Sequence, residues 1–314
     1  MSTLFIVAFG CAATPVFAQS DDVIKVDTDL VLLDVSVTDK QEQPVRGLKP
    51  GDFKIYEDGE ERSVAFLNAE KTTDYNRPLA IVFTLDISGS IKSSELEQLR
   101  SSVRTFATHL SNRSSVFGVM TFGNKVKLKQ SFTNDVGKLD RVFDDLVHDT
   151  SGLSTHAYDA VDDAIRQLVR HAPQSKEKRL IKRAVILITD GFPVGDTVAP
   201  ETVIERANRA DVSIYSVTLP SYSRLTASYD NRPLLTPLDV TGLVDKTGGS
   251  NFYISANDYE RLFTALAEDV SSSYAIGYYP PDMKKRDGRY HTIRVETRAG
   301  TIRQSRPGYT ANSK

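Results

Sequence analysis

Asp86, Ser88 and Ser90 stand at alternate positions in FTLDISGSI (83–91), where the apolar run RPLAIVFTLD stops. In an extended segment alternate side chains point the same way, so a carboxylate and two hydroxyls would share one face just beyond a strand. Gly89 permits the tight turn between the serines. Three hard oxygens converging in this way suit magnesium, which takes oxygen ligands in a near-octahedral array. The same serines also fit an N-cap for a helix beginning near Ser93 or Ser94. Two further oxygen-bearing residues bear on the choice. Thr155, 65 residues after Ser90, lies in the loop SGLSTH ahead of an amphipathic pattern; Asp190, 35 residues later, ends the run AVILIT before Gly191.

The elements that must position these residues alternate strands with helices between 77 and 270. LAIVFTL (79–85), VFGVMTF (116–122), AVILITD (184–190) and VSIYSVTL (212–219) are apolar runs of the kind found in parallel strands buried on both faces. Between them, Leu96, Leu99, Val103, Phe106 and Leu110 recur at helical spacing, as do the patterns at 159–169, 201–210 and 259–270. The expectation is a doubly wound, mostly parallel α/β sheet, which binds ligands outside the carboxyl ends of its strands. All five oxygen-bearing residues then fall on one rim.

Both flanks read as β. Leu33, Val35 and Val37 alternate with polar residues, and FKIY and SVAF flank Asp58-Gly59 as a hairpin would. After 270, Tyr274, Ile276 and Tyr278 alternate, and HTIRVET and TIRQS flank Arg298-Ala299-Gly300. With about four strands before and about three after, neither flank buries enough apolar surface alone. The segments 24–72 and 271–312 are therefore expected to form one β-sandwich with the α/β domain inserted between them. Two separate β appendages are the alternative.

Composition removes several function classes. With 39 basic against 41 acidic residues in 314, the net charge of −2 gives no basic footprint for nucleic acid. The apolar N-terminal stretch is too short to span a bilayer, and Val16-Phe17-Ala18 fits a secretory signal, residues 1–18, although no positive segment precedes it. Cleavage there removes Cys11, the only cysteine, which excludes disulfides and thiol chemistry and leaves an exported, periplasmic or extracellular chain without a transmembrane segment. His156 beside Thr155 is the one candidate general base, with no partner evident in the sequence. The other histidines, 109, 148, 171 and 291, show no ligand spacing, and no His-Glu-x-x-His, Gly-x-Ser-x-Gly or phosphate-binding glycine loop occurs. The chain is not expected to be an enzyme.

Asp86-Ile87-Ser88-Gly89-Ser90, the threonine in 154–160 and Thr189-Asp190-Gly191 together resemble the von Willebrand factor type A domains, over roughly residues 77–270. That resemblance implies a metal-ion-dependent adhesion site holding Mg²⁺, or Mn²⁺ or Ca²⁺, at Asp86, Ser88, Ser90, Thr155 and Asp190. It implies no catalytic residues. It also implies a partner, a protein or surface ligand, whose carboxylate completes the coordination. The flanks, VLLDVSVTDKQEQPVRGLKPGDFKIYEDGEERSVAFL and SSSYAIGYYPP with RPGY, are similar to a group of exported acidobacterial proteins carrying such a domain. The long connection 220–237 should emerge on the metal face, where Tyr222, Arg224, Tyr229 and Arg232 offer an aromatic and cationic mix suited to partner contact. The reading is a secreted, cation-dependent binding module. A structural component of the cell envelope, with the metal only securing the fold, is the alternative.

Overall fold

The computed structural model describes residues 30–68, 77–111, 114–146, 154–173, 175–176, 179–220, 235–254, 258–282 and 284–311. Four strands precede the α/β module: β1 (Val31–Thr38), β2 (Phe53–Glu57), β3 (Glu60–Arg62) and β4 (Phe66–Asn68). The module runs through β5 (Leu79–Asp86), α1 (Ser93–Ser111), β6 (Val116–Phe122), β7 (Lys127–Thr133), α2 (Val136–Asp144), α3 (Ala157–His171), the short pair β8 (Ser175–Lys176) and β9 (Arg179–Leu180), and β10 (Lys182–Thr189). It continues with α4 (Pro200–Arg209), β11 (Val212–Thr218), α5 (Pro237–Thr241), β12 (Asn251–Tyr253) and α6 (Tyr259–Ser271). Four strands follow: β13 (Tyr274–Tyr278), β14 (Tyr290–Thr297), β15 (Thr301–Gln304) and β16 (Gly308–Thr310).

The central sheet has the order β12-β11-β10-β5-β6-β7, parallel except for β7. Its first strand explains the apolar run. Leu79, Ile81, Phe83 and Leu85 enter the core under α1 and α6, while Ala80 and Val82 enter the core under α3 and α4. Strand alternation therefore supplies two apolar layers from one segment. On the first face, Phe106 of α1 meets Phe83, Phe117 and Phe263 edge to face, with ring centroids 5.4, 6.4 and 6.4 Å apart. Sequence order reverses about β5: β6 lies on one side and β10, β11 and β12 on the other. The switch point between β5 and β10 is the place where such sheets open a crevice.

Both chain ends combine in one sandwich, with sheets β15-β1-β13-β4 and β16-β14-β2-β3. Leu33, Val35, Val37, Ile55, Tyr274, Ile276, Tyr278, Ile293 and Val295 fill its core. The C-terminal part gives four strands rather than three, since Gly308–Thr310 pairs with β14. The first hairpin also differs from expectation. Asp58 and Gly59 do turn it, at φ 51° and 85°, but the returning strand is Glu60–Arg62, and Phe66–Asn68 pairs with β13 in the other sheet. SVAF is thus the crossing between layers, not the hairpin arm.

The sandwich seats on the amino-terminal end of the central sheet. Arg77 pairs with Asp34 of β1 and donates to the Leu180 carbonyl at 3.0 Å. Arg303 of β15 reaches Asp269 of α6 at 2.5 Å, and Asp269 also accepts from the Ser250 hydroxyl. A Cβ on Gly248, at φ +76°, would lie 2.7 Å from the Ser305 Cα, so only glycine lets the two backbones approach so closely. Lys182, at the start of β10, is fully buried; its ammonium donates to the Tyr215 hydroxyl at 3.0 Å, and burial lowers its pKa to about 8.

Candidate metal centre

Asp86 ends β5, and the Ile87 amide still donates to Phe122 O at 2.9 Å, so the carboxylate is fixed by sheet pairing. The chain then folds back on itself. The Ser88 amide donates to Asp86 Oδ1 at 2.9 Å, a side-chain turn that aspartate forms readily. Ser88 Oγ and Ser90 Oγ lie 3.0 Å apart, and Ser90 Oγ donates to Asp190 Oδ2 at 2.6 Å. Four residues from two strand ends thus form one chain of oxygens over the crevice between β5 and β10.

Thr155 reaches the same rim through backbone bonds. Its amide donates to Val194 O at 2.8 Å and its carbonyl accepts from the Val194 amide at 3.0 Å, which stitches it to the loop after Asp190. The His156 amide donates to Gly123 O at 3.2 Å, just beyond β6. The N-cap reading of the serines gives way to this arrangement, with Ser90 turned toward Asp190.

One contributor entered the sequence analysis only as part of a motif, without a role. Thr189 Oγ1 donates to Asp86 Oδ2 at 2.7 Å and accepts from the Gly191 amide at 3.2 Å, so it orients the carboxylate from below. A hydroxyl ending an apolar run reads as the end of a strand, and only pairing of β5 with β10 brings it opposite Asp86. Gly191 has φ +90°, and a Cβ there would come within 2.6 Å of Thr236 Cγ2, so glycine lets α5 close against the loop.

Asp86 is 1% exposed and Asp190 4%. Among the described residues no lysine or arginine forms an ion pair with either. Burial, then the charge of Asp190, raises the Asp86 carboxyl to about 6, against hydrogen bonds from Ser88 and Thr189 that pull it down. Two buried acids held together without a cationic side chain are costly unless a cation joins them. The donors brought together are all oxygen, the carboxylates of Asp86 and Asp190 and the hydroxyls of Ser88 and Ser90, while Thr155 is placed on the same rim by its backbone. These residues fit a hard divalent ion.

His156 does have a partner: Nδ1 lies 3.0 Å from Oδ2 of Asp159, one turn along α3. Tyr222, Arg224, Tyr229 and Arg232, expected to contact a partner, fall outside the described residues, as does the expected signal segment. Among the described residues no helix is long and apolar enough to cross a membrane.

A doubly wound sheet with acids and hydroxyls gathered at its switch point defines the class, a Rossmann-like module with an oxygen-lined rim. Residues 80–279, well over half of the sequence, match the von Willebrand factor type A domain, and the chain belongs to that family. The match runs past α6 to include β13 of the sandwich. Mouse integrin alpha-X is 27% identical over 139 residues, which cover 44% of this chain but only 12% of the integrin. An uncharacterized protein of Borreliella burgdorferi is 22% identical over 231 residues, covering 68% of this chain and 60% of that one. Among solved structures, an aerotolerance-related membrane protein from Bacteroides fragilis aligns at 13% identity and TM-score 0.46, over 61% of this chain and 98% of its own.

Proposed function

We propose that this chain is an exported binding module whose divalent cation, held by Asp86, Ser88, Ser90, Thr155 and Asp190, accepts an acidic residue of a protein or surface partner. The observation that carries this reading is the Ser90–Asp190 hydrogen bond at 2.6 Å beside a buried Asp86. It joins motifs 100 residues apart. A bound cation would supply a site of positive charge with a coordination position open to a carboxylate.

The chain's own residues do the rest. Thr189 and the Ser88 amide fix both oxygens of Asp86. Ser90 is exposed while Asp86, Ser88, Thr155 and Asp190 are buried, so an incoming partner would meet the site at Ser90, with the other donors beneath. Such a site is partly shielded from water, and attraction between opposite charges is stronger there than in bulk solvent. Tyr222, Arg224, Tyr229 and Arg232 would add contacts around it. No residue is assigned a catalytic role.

The test has two parts. Mn²⁺ binding followed by electron paramagnetic resonance should show a site in the wild-type chain that Asp86→Ala removes. Capture of envelope components on immobilised protein should require Mg²⁺, vanish with chelator, and vanish in Asp86→Ala while thermal stability without metal is nearly unchanged. Loss of stability with no captured partner would instead favour the structural role in the envelope.

A further inference from the structure

We propose that His156, Asp159 and Asp196 form a second cation site, for a transition-metal dication of the zinc class, on the first turn of α3 beside the oxygen-lined rim. One donor atom from each residue lies within 4.8 Å of the other two. In tetrahedral zinc sites, metal–nitrogen and metal–oxygen bonds of ~2.0–2.2 Å put neighbouring ligands about 3.4 Å apart. The widest-spaced donors therefore need to close by about 1.5 Å. His156 Nδ1 and Asp159 Oδ2, at 3.0 Å, already stand at the separation of neighbouring ligands.

Both carboxylates are oriented before any ion arrives. Asp159 Oδ1 accepts from the Thr197 amide and hydroxyl, each at 3.0 Å, and from the Val198 amide at 2.8 Å; Oδ2 shares the Thr197 amide at 3.1 Å and faces the histidine. Asp196 Oδ1 accepts from the Asp159 amide at 3.0 Å. Hydrogen bonds of this kind fix a ligating carboxylate in many metal centres. The two-bond pairing of Thr155 with Val194 holds together the segments that carry His156 and Asp196. The side chains of His156 and Asp159 are 20% and 17% exposed, so an ion can enter from solvent.

A histidine with two acids need not be a metal site, and this molecule contains the contrasting case. His291 meets Asp58 through Nδ1 at 2.8 Å and Asp287 through Nε2 at 3.1 Å, so its ring separates the two carboxylates and nothing converges. At His156 the acids gather about one point instead. The nitrogen donor also sets the metal class, because imidazole suits zinc or cobalt, whereas magnesium and calcium take oxygen.

The proposal does not depend on the first ion, and the experiment separates the two. The full chain, saturated with Mg²⁺, is titrated with Zn²⁺ by calorimetry and with Co²⁺ by visible absorption. The wild type should bind one equivalent that excess Mg²⁺ does not displace. His156→Gln and Asp196→Asn should each weaken it tenfold or more, while Ser90→Ala, which damages only the oxygen site, keeps it. Asp196→Asn retains a carbonyl oxygen for the Asp159 amide, and circular dichroism checks that each variant is folded. Wild-type Zn²⁺ affinity in either variant, no such equivalent in the wild type, or its loss in Ser90→Ala overturns the assignment.

Discussion

The two ends of the central sheet treat buried charge in opposite ways. At the amino-terminal end, where the sandwich seats, acids meet arginines: Asp34 with Arg77, and Asp269 with Arg303. The sandwich interior follows the same rule, with Glu57 held by Arg62 at 3.1 Å and by the hydroxyls of Tyr278 and Tyr309. At the carboxyl end, Asp86 and Asp190 approach one another through serines. Paired charges fix how two modules sit together, whereas the acids at the rim have no cationic side chain paired with them among the described residues. Under the proposed function, the contrast separates structural carboxylates from those placed to bind.

The largest effect should come from breaking a pair at the seat. Arg77→Ala leaves Asp34 buried without its cation, and loss of one partner of a buried pair costs about 3–5 kcal/mol. Urea denaturation should register it. Replacing both residues, Asp34→Asn with Arg77→Met, should cost far less.

At the rim the sign depends on metal. Wild-type protein at a hundred times the Mg²⁺ dissociation constant should gain about 2.7 kcal/mol in unfolding free energy. Asp190→Asn should abolish that gain and cost little without metal, since it relieves the repulsion from Asp86. A metal-free loss as large as that of Arg77→Ala would erase the distinction between the two ends.

A smaller, pH-dependent effect belongs to the sandwich. Both nitrogens of His291 face carboxylates, so both must carry protons, and bonds to Asp58 and Asp287 outweigh the burial that opposes its charge. Its pKa is raised in the fold, so its stabilisation is complete below about 6.5, the ordinary histidine value, and is lost as pH rises through the folded value. The carboxyls of Asp58 and Asp287 are lowered, so their share is present above about 3.9 and is lost as pH falls through their folded values. Unfolding free energy should therefore decline above about pH 6.5 in the wild type, and His291→Gln should flatten that decline.

The smallest effect calibrates the others. Glu205 and Arg209 pair at 2.5 Å on α4 with both side chains mostly exposed, and Arg209→Ala should cost no more than about 0.5 kcal/mol.

Much of this was legible in the sequence because buried parallel strands are continuous apolar runs and their ends are marked by residues that cannot be apolar. Asp86 and Asp190 stand at two such ends. What escaped has physical causes. β7, KLKQSFT, is an exposed edge strand without a buried alternation, and α2 follows it with only Leu139 and Val142 buried. Edge strands carry lysines that blunt pairing with other chains, and those same lysines hide the pattern. SVAF looked like a hairpin arm because its composition suits a strand, but the two-residue turn at Asp58-Gly59 fixes its partner as the three residues that follow. His156 and Asp159 are one helical turn apart, yet Asp196 joins them only through tertiary pairing.

One consequence lies in the pairing of β1 with β13. Val31 lies opposite Tyr278, so the first described strand finds its neighbour only after the whole inserted module has been synthesised. Closing so long a loop is slow, and the edges of a half-built sandwich invite wrong partners. A nascent chain therefore has every reason to complete its α/β module first and close the outer clasp last, and truncation just before β13 should release a soluble inner module with an unfolded leader.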